Sequence, residues 1–263
     1  MKKILGILLV LLTMGLAGCS GGSDAADWKY IEKNGKLVIG ITYFEPMNFI
    51  DENGDLQGFE TEFAEAVCEI LGVEPEFQEI NWSAKETELK AKKIDCIWNG
   101  MTIDAEREEN MSISTPYMSN KQMLVVKSEN ASVYTDSVDG AGVVAEAGSA
   151  GETACTEEDF FAAADFTAVD TQAKALMEVN AGTSDAAVID YVMSIGMIGE
   201  GTDYSDLVAV EERSFGEESY GVAMRKEDSE LTKKVNDAMK ELSENGKLNE
   251  IAAKYKLENL LLF

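Results

Sequence analysis

The chain of 263 residues carries 49 acidic and 22 basic side chains, a formal net charge of −27, and no histidine. Such acidity argues against nucleic acid and anionic lipid surfaces as partners. The missing imidazole removes Ser-His-Asp, Cys-His and His-metal chemistry.

Lys2 and Lys3 precede an apolar run over 4–14, then Leu16-Ala17-Gly18-Cys19. A charged start followed by a short apolar stretch is of signal-peptide type. It falls short of the ~20 apolar residues a membrane-spanning helix needs. A signal peptide is therefore expected over 1–18. Leu-Ala-Gly-Cys resembles a bacterial lipobox, which implies cleavage before Cys19 and its lipidation; an ordinary secretory signal with an incidental Cys is the alternative. Residues 19–29 then form the lipidated Cys and a small, polar tether.

The remaining length is more than one core comfortably fills and suits two lobes. From Lys36 onward, strand and helix patterns alternate. A strand is expected over 37–42 and a turn over 51–54. Phe59, Phe63, Val67, Ile70 and Leu71 recur at helical spacing and end at Gly72. A strand over 75–80, a helix over 83–92 and a strand over 94–98 follow. Strands over 123–126, 141–145 and 186–189 alternate with helices opened at Ser149 and at Thr171. A last helix over 229–245 carries Leu231, Val235, Ala238, Met239 and Leu242 on one stripe. This order predicts an α/β fold with mostly parallel sheets flanked by helices.

Setting Cys19 aside, Cys68, Cys96 and Cys155 are an odd remainder at irregular spacing, which is no disulfide framework. Three inert thiols are expected, with a Cys68–Cys96 bridge as the alternative. No cofactor and no metal are called for.

The stretch over 94–107 gathers the most chemistry. Ile94, Cys96, Ile97 and Trp98 suit a short buried strand, Asn99-Gly100 breaks it, and Asp104 can cap a helix with Arg107 in its first turn. A hydroxyl at Thr102, a bare glycine backbone and an arginine at one strand-to-helix junction can hold a small carboxylate. On these residues alone, Thr102 could equally end a strand and Arg107 sit in a surface ion pair. The run Ile94-Asp95-Cys96-Ile97-Trp98-Asn99-Gly100-Met101-Thr102-Ile103, with Glu106-Arg107, resembles a signature of the polar amino-acid-binding proteins of ABC importers, solute-binding family 3. Matching pieces stand in the family's order: Lys36-Leu37-Val38-Ile39-Gly40, Gly58-Phe59-Glu60, Pro116-Tyr117, Gly148-Ser149-Ala150-Gly151-Glu152, the acidic-ended strand at Asp185 and Asp190, and Tyr220-Gly221-Val222-Ala223-Met224-Arg225-Lys226.

The resemblance implies a two-lobed periplasmic-binding-protein fold joined by two hinge strands. Lobe 1 would comprise 30–119 plus 216–263, and lobe 2 would comprise 120–215. It also implies site roles. Arg107, Thr102 and the N–H groups of Ser149 and Ala150 would take a ligand carboxylate. Asp190, with the Gly100 carbonyl and the Thr102 hydroxyl, would take the ammonium. Trp82 and Phe44 would wall the side-chain pocket, although Tyr43 could exchange places with Phe44. Asn99 and Glu146 would face the side chain, unless Glu146 points to solvent.

A lipid-anchored, extracytoplasmic monomer that delivers a free amino acid to an ABC permease is the function so implied. Two other readings share the fold. One is a cyclohexadienyl-dehydratase-like enzyme, with Glu146 the only candidate acid; the other is a ligand-sensing module.

Overall fold

The computed structural model describes residues 27–263. The signal segment, Cys19 and the polar stretch through Ala26 lie outside the described residues. Helix α1 (Asp27–Asn34) already presses Trp28 and Ile31 into the core, so the expected tether is helical over its last residues. Strand β1 (Lys36–Ile41), the hairpin β2 (Phe49–Ile50) and β3 (Leu56–Gln57), and helix α2 (Phe59–Leu71) follow. Phe59, Phe63 and Val67 bury one face of α2, and Gly72 ends it in the left-handed region, at φ 72. Then come β4 (Glu74–Glu79), a single 3-10 turn (Trp82–Ala84), α3 (Lys85–Lys90), β5 (Cys96–Ile97), α4 (Ala105–Asn110) and β6 (Met111–Ile113).

Strand β7 (Met118–Lys127) carries the chain into a second sheet. That region contains α5 (Ala131–Tyr134), β8 (Gly142–Glu146), α6 (Ala150–Glu157), β9 (Asp165–Val169), α7 (Gln172–Ala181), β10 (Ala186–Asp190) and α8 (Tyr191–Met197). The long β11 (Leu207–Tyr220) leads back, and β12 (Ala223–Arg225), α9 (Ser229–Glu244) and α10 (Lys247–Lys254) complete the first lobe.

The two sheets run in the orders β4-β1-β5-β12-β6 and β11-β7-β10-β8-β9. In each, three strands are parallel: β4, β1 and β5 in one, β10, β8 and β9 in the other. The rest are antiparallel, β12 against β5 and β6, and β7 against β10 and β11. The sheets are thus mixed rather than mostly parallel. Parallel neighbours need a helical crossover, and the strands that travel between lobes arrive without one, so they run back against the others.

Strands β7 and β11 pair from Lys127–Leu207 to Met118–Tyr220. Gly216, where the return to the first lobe is expected, sits at φ 65 at a register shift between Phe215 and Glu217. A glycine in the left-handed region accommodates such a bulge and increases the local twist.

The Trp98 strand end is clamped from below. Phe63 packs edge-on against Trp98 at 5.2 Å and against Tyr117 at 5.6 Å between ring centroids. Arg225 is buried and donates to the carbonyls of Leu89 and Ile94 at 3.1 and 2.5 Å, while pairing with Asp95 at 3.1 Å and Asp228 at 2.9 Å. Removing one member of that cluster would leave a buried charge without its partner, which is strongly destabilising. The three cysteines within the described residues are buried free thiols, so the Cys68–Cys96 alternative is not what forms. Burial pushes Cys68 and Cys155 up to about 12, which keeps both unreactive. Among the described residues no helix is long and apolar enough to cross a membrane.

Candidate functional site

A small cleft lies between the two sheets, at the carboxyl ends of their parallel strands. From the first lobe it is lined by Phe44, Trp82, Asn99, Gly100, Thr102 and Arg107; from the second, by Glu146, Ser149, Ala150 and Asp190. All ten residues named from sequence meet there. Thr42 and Gln172 also line it and were not anticipated. Phe44 is buried and lines the cleft, while Tyr43 is exposed and does not.

The Gly100 turn is built around a buried acid. Gly100 stands at φ +56, and a Cβ there would lie 2.6 Å from Phe44 Cε1, so the position needs glycine twice over. Its N–H donates to Glu60 at 2.9 and 3.1 Å, and the Tyr117 hydroxyl donates to the same carboxylate. Burial pushes Glu60 up to about 7 against the pull of those donors.

Asn99 plays a different part from the one expected. Its Oδ1 accepts from Thr42 N and Oγ1 at 2.9 and 2.6 Å, and its Nδ2 donates to Thr42 O and Asn48 Oδ1 at 2.9 and 2.8 Å. An amide side chain has two donors and two acceptor sites, and all are engaged within the protein. Asn99 therefore shapes the cleft without a donor to offer a ligand.

Arg107 follows Asp104, whose carboxylate caps α4 by accepting the Arg107 N–H at 2.8 Å and pairs with Nε at 3.1 Å. Nη1 donates to Thr102 O at 2.8 Å, and Nη2 to Gly148 O across the cleft at 3.3 Å. A guanidinium has five N–H donors, so one remains on each terminal nitrogen. Those two form the fork that suits a carboxylate.

Lys85, within the helix expected over 83–92 and given no role from sequence, reaches the same Gly148 carbonyl at 2.9 Å while its ammonium lies 4.7 Å from the Trp82 ring centroid. Burial first, and the Arg107 charge second, bring Lys85 down to about 8. The lobes thus touch through two cations on one carbonyl. One face of Trp82 is already covered by a cation, which restricts its stacking role to the other face.

In the second lobe, Gly148 at φ +74 turns the chain from β8 into α6. Ser149 Oγ accepts from Glu152 N at 3.1 Å, and Glu152 Oε2 accepts from Gly148 N at 2.6 Å, a reciprocal capping arrangement. The Ser149 N–H already donates to Glu146 O at 3.1 Å. Ser149 is therefore a cap rather than the anion donor expected, and Ala150 stands first among the open N–H groups of the helix.

Asp190 ends β10 in a cage of amides. Oδ1 accepts from Asn120 and Gln122, both at 2.6 Å, Oδ2 accepts from Gln172, and its own N–H donates to Gln172 Oε1 at 2.8 Å. A carboxylate has about four lone-pair sites, which leaves one on Oδ2. Glu146, 4 % exposed, has an Oε1 buried without a partner. Burial and the Asp190 charge push it up to about 8, with Lys85 and a bond from Gln172 opposing. Gln172 was within reach of sequence reasoning, since it follows the Thr171 cap at a strand's carboxyl end. Nothing local marks Lys85, Asn120 or Gln122.

Comparison with known proteins agrees with this architecture. The family model for bacterial extracellular solute-binding proteins, family 3, matches residues 37–258. The chain is 28% identical over 257 residues to the L-cystine-binding protein TcyJ of Escherichia coli (strain K12), covering 97% of this chain and 94% of that protein. It is 32% identical over 225 residues to an L-arginine-binding protein of Pseudomonas aeruginosa, with coverage of 82% and 86%. A substrate-binding protein of an ABC uptake transporter from Streptococcus pneumoniae, solved with bound histidine, superposes with a TM-score of 0.81 at 30% identity, covering 91% of this chain and 99% of that one. Relatives that cover 97% of this chain are named as binding proteins. With its two mixed sheets, its cleft at the strand ends and this match along the sequence, the chain belongs to the bacterial extracellular solute-binding proteins, family 3.

Proposed function

We propose that this protein captures a single polar amino acid and delivers it to the permease of an ABC importer. The observation that carries the reading is the opposition of Arg107, with two free N–H groups, and Asp190, with one free acceptor site, across one closed cleft. A free amino acid bears a carboxylate and an ammonium on one carbon and answers both. The cleft is small and walled by residues of both lobes, which suits one small ligand rather than a peptide. The names of the relatives, with arginine, cystine and histidine as ligands, agree.

Lobes 30–119 plus 216–263 and 120–215 close about the β7–β11 hinge. Closure follows from differential affinity, because groups from both lobes grip the ligand only when closed. The Thr102 hydroxyl and Gly100 carbonyl support the ammonium, and the Ala150 N–H supports the carboxylate. Glu146 then selects at the side-chain tip. Its unpartnered oxygen favours a side chain bearing N–H groups, basic ones ahead of glutamine and both ahead of glutamate.

A thermal-shift screen of the twenty amino acids with cystine and ornithine tests the reading. At a hundred times its dissociation constant a ligand stabilises by about 2.7 kcal/mol, which raises the melting temperature of a chain this long by roughly 5–10 °C. Arginine, lysine and ornithine should rank first, and glutamate should give no shift. No shift with any compound would overturn amino-acid capture.

Cys19 anchors the protein by lipid to the extracytoplasmic face of the membrane, and the mature chain works there as a monomer. Cys19→Ser should move the protein from the membrane fraction to the soluble one with unchanged ligand affinity, since the anchor lies far in sequence from every cleft residue. A variant that stayed with membranes would remove the lipid anchor from the proposal.

A further inference from the structure

Behind Asp190 stands a second carboxylate. Glu218, on β11, accepts from Asn120 Nδ2 and, at 2.7 Å, from Gln122 Nε2. The same two nitrogens donate to Asp190 Oδ1, each at 2.6 Å. An amide nitrogen has two N–H groups, so each side chain gives one hydrogen to each acid. Asn120 is held in that orientation because its Oδ1 accepts from Val192 N at 3.2 Å. The two acids are clamped together across the hinge strands. Asp190 lines the cleft, while Glu218 lines a separate groove beside Lys121 and Tyr191.

Like charges held this close resist ionising together. Burial and the Asp190 charge push Glu218 up to about 7, with the amides of Gln122 and Asn120 opposing. The surrounding titratable groups are Glu60 beneath the Gly100 turn, raised to about 7 by burial with Asp190 adding to it, Glu146 across the cleft, Glu217 and Tyr220 on the same strand, and Lys121 on β7, whose ammonium lies over the Tyr191 ring at 5.1 Å.

We propose that Asp190 and Glu218 act as one proton-sharing pair, so that seating a ligand ammonium on Asp190 releases a proton from Glu218. This rests on Asp190 being the ammonium partner, as argued above. Glu218 is a positioning residue that acts on the ligand through the shared amides and Asp190, without touching it. In the empty cleft the pair holds one proton and one negative charge. The ammonium keeps its three hydrogens and settles against Asp190. The O–H bond of Glu218 then breaks, its electron pair stays on oxygen, and the proton leaves to solvent through the Glu218 groove. Sites that interact this strongly titrate as a pair.

The sign follows from linkage. Below about pH 6 the empty pair is protonated and binding must expel the proton, so affinity falls as pH falls. Above about pH 8 the proton has already gone and affinity no longer changes. From pH 8 to pH 6 the loss is about tenfold.

Calorimetry on the whole protein at pH 6.5 in phosphate and in Tris separates proton release from binding heat, with L-arginine and L-glutamine as probes. The second probe is needed because Glu146 also titrates in this range and would answer a basic side chain. L-Glutamine should release a large fraction of one proton from the wild type, and L-arginine that fraction plus the proton Glu146 gives up. Glu218→Gln should lose the release with L-glutamine and the same share of it with L-arginine, and flatten the pH dependence with L-glutamine, while Glu218→Asp, which restores a carboxyl, should keep both. Binding without proton release by the wild type overturns the pair alone, and this outcome needs no variant to fold. Equal release by Glu218→Gln would place the proton elsewhere and overturn it too. No binding heat with either probe would overturn Asp190 as the ammonium partner, and the pair with it.

Discussion

Arg107→Ala is expected to weaken binding of L-arginine or L-glutamine by about 30-fold to several thousand-fold, the range of about 2–5 kcal/mol for truncating one partner of a buried, hydrogen-bonded charge pair. Two losses combine. The ligand carboxylate is left in a closed cleft without its fork, and the Arg107 bond to Gly148 O across the lobes disappears. The second loss lowers the population of the closed state as well as the grip within it. Arg107→Lys should recover only part, because an ammonium is a point donor and cannot serve Thr102 O, Gly148 O and a carboxylate in one plane. Calorimetry on both variants decides the matter. Dissociation constants equal to wild type in both would return Arg107 to an internal clasp that never meets the ligand.

Glu146→Gln should divide ligands by charge. A hydrogen bond to a charged group contributes about 1.5–3 kcal/mol, so affinity for L-arginine should fall by about 10- to 150-fold, while L-glutamine should lose no more than a few-fold. The buried carboxyl, raised to about 8 by burial and by Asp190, is largely protonated in the empty cleft at neutral pH. A basic ligand must ionise it, so wild-type affinity for L-arginine should rise between pH 7 and pH 8 and level off above. In Glu146→Gln that portion of the rise should vanish. Lys85, brought down to about 8 by burial and by Arg107, loses its own charge over the same range, which further favours a cationic ligand. Tight binding of L-glutamate by the wild type would show that Glu146 does not meet the ligand side chain.

Much of the site was legible because the family resemblance assigned its roles and the residues that carry them sit in local signals. Asp104 capping α4 with Arg107 in the first turn, Ser149 opening α6 before Glu152, and an apolar strand ending at Asp190 are each contained within a few residues. The strand-end rule then places all three at one crevice. What failed was the assignment of individual donors. Asn99 was expected to face a side chain, but Thr42 and Asn48, 57 and 51 positions earlier, engage all of its hydrogen-bonding groups. Ser149 was expected to offer its N–H to an anion, but the Glu146 carbonyl takes it as the turn closes.

By itself the sequence determined the α/β order, the glycine turns, the helix caps and the residue types gathered at the strand ends. These depend on periodicity and on bonds between near neighbours, which survive translation into any compact arrangement. Only the tertiary structure decided that the sheets are mixed, that the hinge pairing continues past Gly216 to Tyr220, and that Lys85 meets Gly148 across the cleft. Only it clamped Glu218 behind Asp190 through Asn120 and Gln122, from strands nearly a hundred residues apart in the case of Glu218 and its amides. The reason is physical: a carboxylate's charge state and an amide's free donors depend on what burial and distant strands bring within about 3 Å.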